Sequence, residues 1–119
     1  MGIPKDILNS LNSDVEGLQA AALFSSDGLP LLINNPANAD VDSFSAKFAM
    51  VAKLVSKTVT ALNGGRTDEI LVEQDKGWIL LRPIGKADLN LIISVTPDAT
   101  LGNLRMVAKR LVVDIAEVV

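Results

Sequence analysis

Hydrophobic and polar positions along this chain follow two periods, and the switches between them mark out its elements. Near the N-terminus Ile7, Leu8 and Leu11 recur at helical spacing. Pro4 suits a first helical turn, where its missing N–H would be unpaired anyway. The pattern predicts a short helix from about Pro4 to Leu11, ended by Asn12-Ser13-Asp14. Gln19 to Phe24 and Leu29 to Ile33 are runs of strand length separated by Ser25-Ser26-Asp27-Gly28. Asp-Gly between two such runs signals a hairpin, because glycine accepts positive φ without steric cost. Pro30 cannot donate to a ladder, so the second strand is expected at a sheet edge.

After the loop Asn34–Asn38, Asp40 or Asp42 can cap a long helix running to about Leu62. Phe44, Phe48, Val51, Val55 and Leu62 form one apolar stripe on it. Met50, Leu54 and Ala61 lie on a neighbouring side, interleaved with Lys47, Lys53 and Lys57, so the apolar sector is wider than one stripe. Asn63-Gly64-Gly65 stops the helix, with glycine as the expected left-handed cap.

Three strands follow. In Glu69–Gln74, Ile70 and Val72 take one face and Glu69, Leu71 and Glu73 the other, with Glu69 and Glu73 expected on an exposed side. Asp75-Lys76-Gly77 reads as a tight turn. Trp78–Arg82 is apolar on both faces, and Pro83 is expected to end its pairing. Leu89, Leu91, Ile93 and Val95 alternate with Asp88, Asn90, Ile92 and Ser94 up to Pro97. A final helix from Ala99 or Thr100 carries Leu101, Leu104, Ala108, Leu111, Ile115 and Val118, broadened by Val107 and Val112. The order is α-β-β-α-β-β-β-α. Strand connections are mostly too short for parallel crossovers, which predicts an α+β domain over residues 1–119 with a largely antiparallel sheet.

Composition sharpens this picture. The 119 residues are 49% hydrophobic, with a mean hydropathy of +0.35. So apolar a small domain must cover both faces of its sheet or bury apolar surface against a partner. No run approaches the ~20 apolar residues of a membrane-spanning helix, and the N-terminus lacks the pattern of a signal peptide. With no cysteine there is no disulfide or thiol chemistry, which suits a cytoplasmic location. A net charge of −3 and few aromatics (Phe24, Phe44, Phe48 and Trp78) argue against nucleic-acid binding.

Candidate chemistry fails on composition. No histidine or cysteine accompanies the serines, so nucleophilic triads and the usual metal sites are excluded. Ser56 and Lys57 are adjacent on a helix and point apart. Gly64-Gly65-Arg66-Thr67 lacks the spacing of a phosphate loop and follows a helix, so it reads as a cap and loop. Asp40 with Asp42, and Glu69 with Glu73, show no sign of the burial that shifts a catalytic carboxylate. Arg66, Arg82, Arg105 and Arg110 could each reach a partner's nucleotide, but read first as solvated or ion-paired. Trp78 could anchor an interface and reads first as a packing residue. No catalytic residue, metal or cofactor is expected, and no polar cluster suggests a ligand pocket.

Asp14-Val15-Glu16-Gly17-Leu18-Gln19-Ala20-Ala21-Ala22-Leu23-Phe24-Ser25-Ser26-Asp27-Gly28-Leu29-Pro30-Leu31 resembles the opening of roadblock (dynein light chain) domains. There a short helix, a glycine, a small-residue strand and an Asp-Gly turn come in this order. Leu91-Ile92-Ile93-Ser94-Val95 and Ala99-Thr100-Leu101-Gly102-Asn103-Leu104-Arg105 resemble that family's last strand and the Leu-Gly start of its final helix. The compact length is most similar to prokaryotic members, including the mutual-gliding-motility protein B group.

The resemblance implies a roadblock-like, profilin-like sandwich. A five-stranded antiparallel sheet would carry the middle helix on one face and the terminal helices on the other. It also implies a homodimer with paired middle helices and paired third strands. Here that surface would use Phe44, Phe48, Val51, Leu54, Val55, Leu62, Ile70, Leu71 and Val72. As a partner it implies a small Ras-like GTPase, with Lys47, Lys53 and Lys57 as candidates to face it. The alternatives are an interaction subunit of a motor or signalling complex without a GTPase, and a small-molecule sensor or enzyme.

Overall fold

Five strands form one antiparallel sheet in the computed structural model, which describes residues 2–119. The elements are α1 (Leu11–Asp14), β1 (Leu18–Ser25), β2 (Pro30–Asn34), α2 (Val41–Ala61), β3 (Ile70–Gln74), β4 (Gly77–Ile84), a 3₁₀ turn at Gly85–Ala87, β5 (Leu89–Val95) and α3 (Leu101–Val118). The strand order β2-β1-β5-β4-β3 leaves β2 and β3 as the two edges. Hairpins join β1 to β2 and β3 to β4, and α2 carries the chain from one edge to the other.

The sheet is apolar on both faces because both are covered. Leu23, Leu80, Leu91, Ile93 and Val95 pack with Leu8, Leu11 and Val15 and with Leu104, Val107, Ala108, Leu111 and Ile115 of α3. Ala22, Phe24, Leu81 and Ile92 pack on the other face beneath Val41 and Ala49 of α2. Asn103 Nδ2 donates to the Asp14 carbonyl at 2.8 Å, and Arg110 pairs with Asp14 at 3.1 Å, tying α3 to α1. The expected α+β sandwich with helices on both faces is the fold.

Several boundaries differ from the sequence reading. The segment before Leu11 is a series of i→i−3 turns (Ile7 to Pro4, Asn9 to Asp6, Leu11 to Leu8), and regular α-helix begins only at Leu11. Such turns stack i and i+3, which brings Leu8 and Leu11 together into the core. Pro83 does not end β4: it pairs with Asn90, and the strand runs on to Ile84. β3 reaches only as far as Ile70 opposite Leu81, so Pro83 interrupts no ladder on that side.

The cap of α2 is asparagine rather than glycine. Asn63 takes φ 58, Gly64 N bonds Val59 O at 2.8 Å and Asn63 N bonds Thr60 O at 3.0 Å. That is a Schellman closure, in which asparagine tolerates the left-handed position. At the other end Asp40 accepts from Ser43 N at 3.2 Å.

One side of α2, lined by small residues, meets the sheet. The fully buried residues are Val41, Ser45 and Ala49, not the large stripe; Phe44, Phe48 and Ala52 flank them. Small residues let the helix approach closely. The turn at Gly28 (φ +91) backs onto it so tightly that a Cβ there would lie 2.8 Å from Ala46 Cα.

Candidate interaction surface

Because small residues seat α2, its large ones are left over. On a 3.6-residue helix Val51, Val55 and Leu62 share a flank with Phe44, and Leu54 lies just outside it. Val51 is 39% exposed, Leu54 67% and Leu62 76%; Val55 is half-buried. Phe44 and Phe48 point down this flank into a cleft of about 210 Å³, lined also by Ile79 and Ile92. The flank therefore overhangs the β4–β3 half of the sheet. There Ile70 and Ile79 complete the smaller core only in part, and Val72, opposite Ile79, is half-exposed on the same face. Leu71 faces the other way, against the α1–α3 core.

The outer edge of β3 pairs with nothing among the described residues. A row of free N–H and C=O groups beside an apolar shelf is a template for another chain. Of the residues expected to make a self-association surface, Val51, Leu54 and Leu62 are exposed on α2, Val55 is half-buried, and Ile70 and Val72 share the sheet face that α2 covers. Phe44 and Phe48 sit at the back of the cleft, and Leu71 is turned away from it.

Charged residues sort by location. Lys47, Lys53 and Lys57 are exposed on α2, and Lys53 lies 3.9 Å from the exposed Asp27. Glu69 is not exposed as expected. It accepts from Arg82 Nη1 at 3.0 Å and from Arg105 Nε at 2.9 Å, and its side chain is only 17% exposed. Arg66 bonds Asp68 at 2.6 Å in the loop leading to β3. That hydrogen bond holds the Asp68 carboxyl below the ordinary carboxylate range and raises the Arg66 guanidinium. Thus each of the four arginines has a carboxylate partner. Trp78 is half-buried against the α1–α3 core. Among the described residues no group of three histidines, cysteines or acids could hold a metal ion. No helix among them is long and apolar enough to cross a membrane.

The family model for the Roadblock/LC7 domain matches residues 5–94. This chain belongs to that family. The Roadblock/LC7 fold is shared with solved structures of low sequence identity. A Roadblock/LC7 domain from Streptomyces avermitilis superposes with a TM-score of 0.86 at 19% identity, covering 96% of this chain and 95% of that one. The gliding protein MglB from Thermus thermophilus gives 0.85 at 18% identity over 98% and 91% of the two chains. Myxococcus xanthus MglB gives 0.81 at 13% identity over 96% and 89%. No curated protein matches the chain.

Proposed function

We propose that residues 1–119 act as one cytoplasmic Roadblock/LC7 domain, a non-enzymatic homodimeric scaffold that binds and modulates a small Ras-like GTPase. One observation carries the first half: the exposed flank of α2, the open shelf of β3–β4 and the free β3 edge are contiguous. A second copy related by a two-fold axis would cover all three at once, strand on strand and helix on helix. A stable pairing of this kind buries about 1,200–2,000 Å² in total. Oligomers are known for this fold, since one MglB structure at TM-score 0.87 is described as a tetrameric arrangement.

Family membership supports the second half. The lysines Lys47, Lys53 and Lys57 are exposed on α2, where a partner could meet them. Function through binding also fits a chain with no histidine or cysteine and with every arginine tied to a carboxylate.

Leu54→Asp tests the pairing, because Leu54 is exposed in the single chain and its loss spares the core. Light scattering should report a dimer for the parent and a folded monomer for the variant at micromolar concentration. A parent that stays monomeric refutes the scaffold reading. Capture by the parent of a Ras-like GTPase loaded with GTP in preference to GDP supports the GTPase role. Equal or absent capture favours an interaction subunit without one.

A further inference from the structure

The cleft beneath Phe44 and Phe48 has the size and chemistry of a seat for a side chain. Its volume of about 210 Å³ is below the roughly 300–1,000 Å³ of a small-molecule site. Ile79 and Ile92 form its floor, and Ala37 and Ala39 line it from the segment before α2. Its two polar side chains, Gln19 and Ser94, bond each other at 3.0 Å. An apolar occupant therefore suits it. Leu62, at the end of α2, is 76% exposed, the most exposed large apolar side chain among the described residues. Phe44 and Leu62 lie about five turns apart on α2, so they share a flank and stand about 27 Å from each other. Between them the flank carries Val51, Val55 and Thr58 and no charge, and the centre of an interface is likewise depleted of charge.

Symmetry decides where Leu62 goes. A two-fold axis can join two β3 edges in two ways. An axis along the strands pairs them parallel and puts the two α2 helices on opposite faces of the joined sheet. An axis perpendicular to the sheet pairs them antiparallel and keeps both helices on one face, running in opposite directions. Only the second arrangement covers the flank of α2. The start of one helix then meets the end of the other.

The strands place the same groups together. The cleft sits where β4 begins, at Ile79, beside the end of β3. Ser56, late in α2, shares a cavity with Pro83 and Ile84, where β4 finishes, beside the start of β3. Antiparallel pairing about Val72 brings the end of one β3 to the start of the other. We propose that Leu62 of each copy seats in the Phe44–Phe48 cleft of the other. This rests on the pairing proposed above and adds its register. A leucine side chain presents on the order of 100 Å² of apolar surface. Two reciprocal contacts, with the walls they cover, contribute roughly 400 Å² of the 1,200–2,000 Å² that a stable pairing buries.

The chain has no cysteine, so introduced thiols report proximity without background. Ala39 and Leu62 are both exposed, and within one chain α2 holds them about 30 Å apart. A short bismaleimide should couple the Ala39→Cys/Leu62→Cys chain into a covalent dimer on a denaturing gel. Neither single variant should couple, since each residue is far from its own symmetry mate. Leu62→Ala should raise the dimer dissociation constant at least about tenfold, by sedimentation, with the parent's circular dichroism. Leu62→Met should restore most of the affinity. A dimeric chain whose double variant stays uncoupled, or whose Leu62→Ala variant pairs as tightly as the parent, overturns the inference and leaves the pairing standing. The cleft would then be open to a different partner or a small apolar ligand. Coupling by Leu62→Cys alone also overturns it, because that puts like ends of α2 together. A parent that sediments as a monomer removes the pairing itself.

Discussion

The most informative perturbation is Glu69→Gln. One carboxylate serves two guanidiniums, accepting from Arg82 Nη1 at 3.0 Å on Oε1 and from Arg105 Nε and Nη2, both at 2.9 Å, on Oε2. Exposure decides how the cost divides. Arg82 is 15% exposed and Arg105 42%. Breaking a buried pair from one side costs about 3–5 kcal/mol, because the surviving charge is left without a partner. Arg82 belongs near the bottom of that range. Arg105 can turn to water, and its share is that of a surface pair, about 0.2–1 kcal/mol. Glutamine keeps the shape and one acceptor, so the sum is about 3 kcal/mol.

In a domain of this size that lowers the melting temperature by roughly 10–15 °C. Arg105→Ala, by the same reasoning, should cost about 1 kcal/mol or less. Urea unfolding followed by circular dichroism measures both, at two protein concentrations so that any contribution from self-association is separated. A Glu69→Gln chain within about 0.5 kcal/mol of the parent would refute the reasoning, since that is the range of an ordinary surface change. Equal losses for Glu69→Gln and Arg105→Ala would place the energy on the α3 side and refute the division.

Two further outcomes follow from backbone geometry and capping. Gly77 holds φ +140 where β4 begins, and a Cβ there would lie 1.8 Å from Val95 O, so Gly77→Ala should destabilise by more than about 2 kcal/mol in thermal melts. Asp40→Ala removes the acceptor for Ser43 N and should cost about 1 kcal/mol in the same assay, while Asp40→Asn should restore most of it.

How far the sequence reveals this fold depends on how local each signal is. The strands are legible because period-two alternation and the turns at Asp27-Gly28 and Asp75-Lys76-Gly77 act over a few residues. β5 lies at Leu89–Val95 as read, and Pro30 does mark an edge. Asn63 as the helix cap is harder, since two glycines follow it and all three residues can take the left-handed conformation. Pro83 misleads because its effect depends on whether another strand lies alongside, which the chain's own pattern does not state.

The long helix carries the deeper lesson. Size alone picks out Phe44, Phe48, Val51, Val55 and Leu62 as an apolar stripe, but it does not say which residues meet the sheet where two backbones approach closely. Val41, Ser45, Ala49 and Ala52 recur at helical spacing too, and they meet Ala22 and a turn glycine across the gap. Small residues facing small residues are the signal of a close seat, and it is present in the sequence. Once the small stripe is assigned to the sheet, the large one is surplus to the single chain. Its exposure beside an unpaired strand is then the strongest reason to expect a second body there.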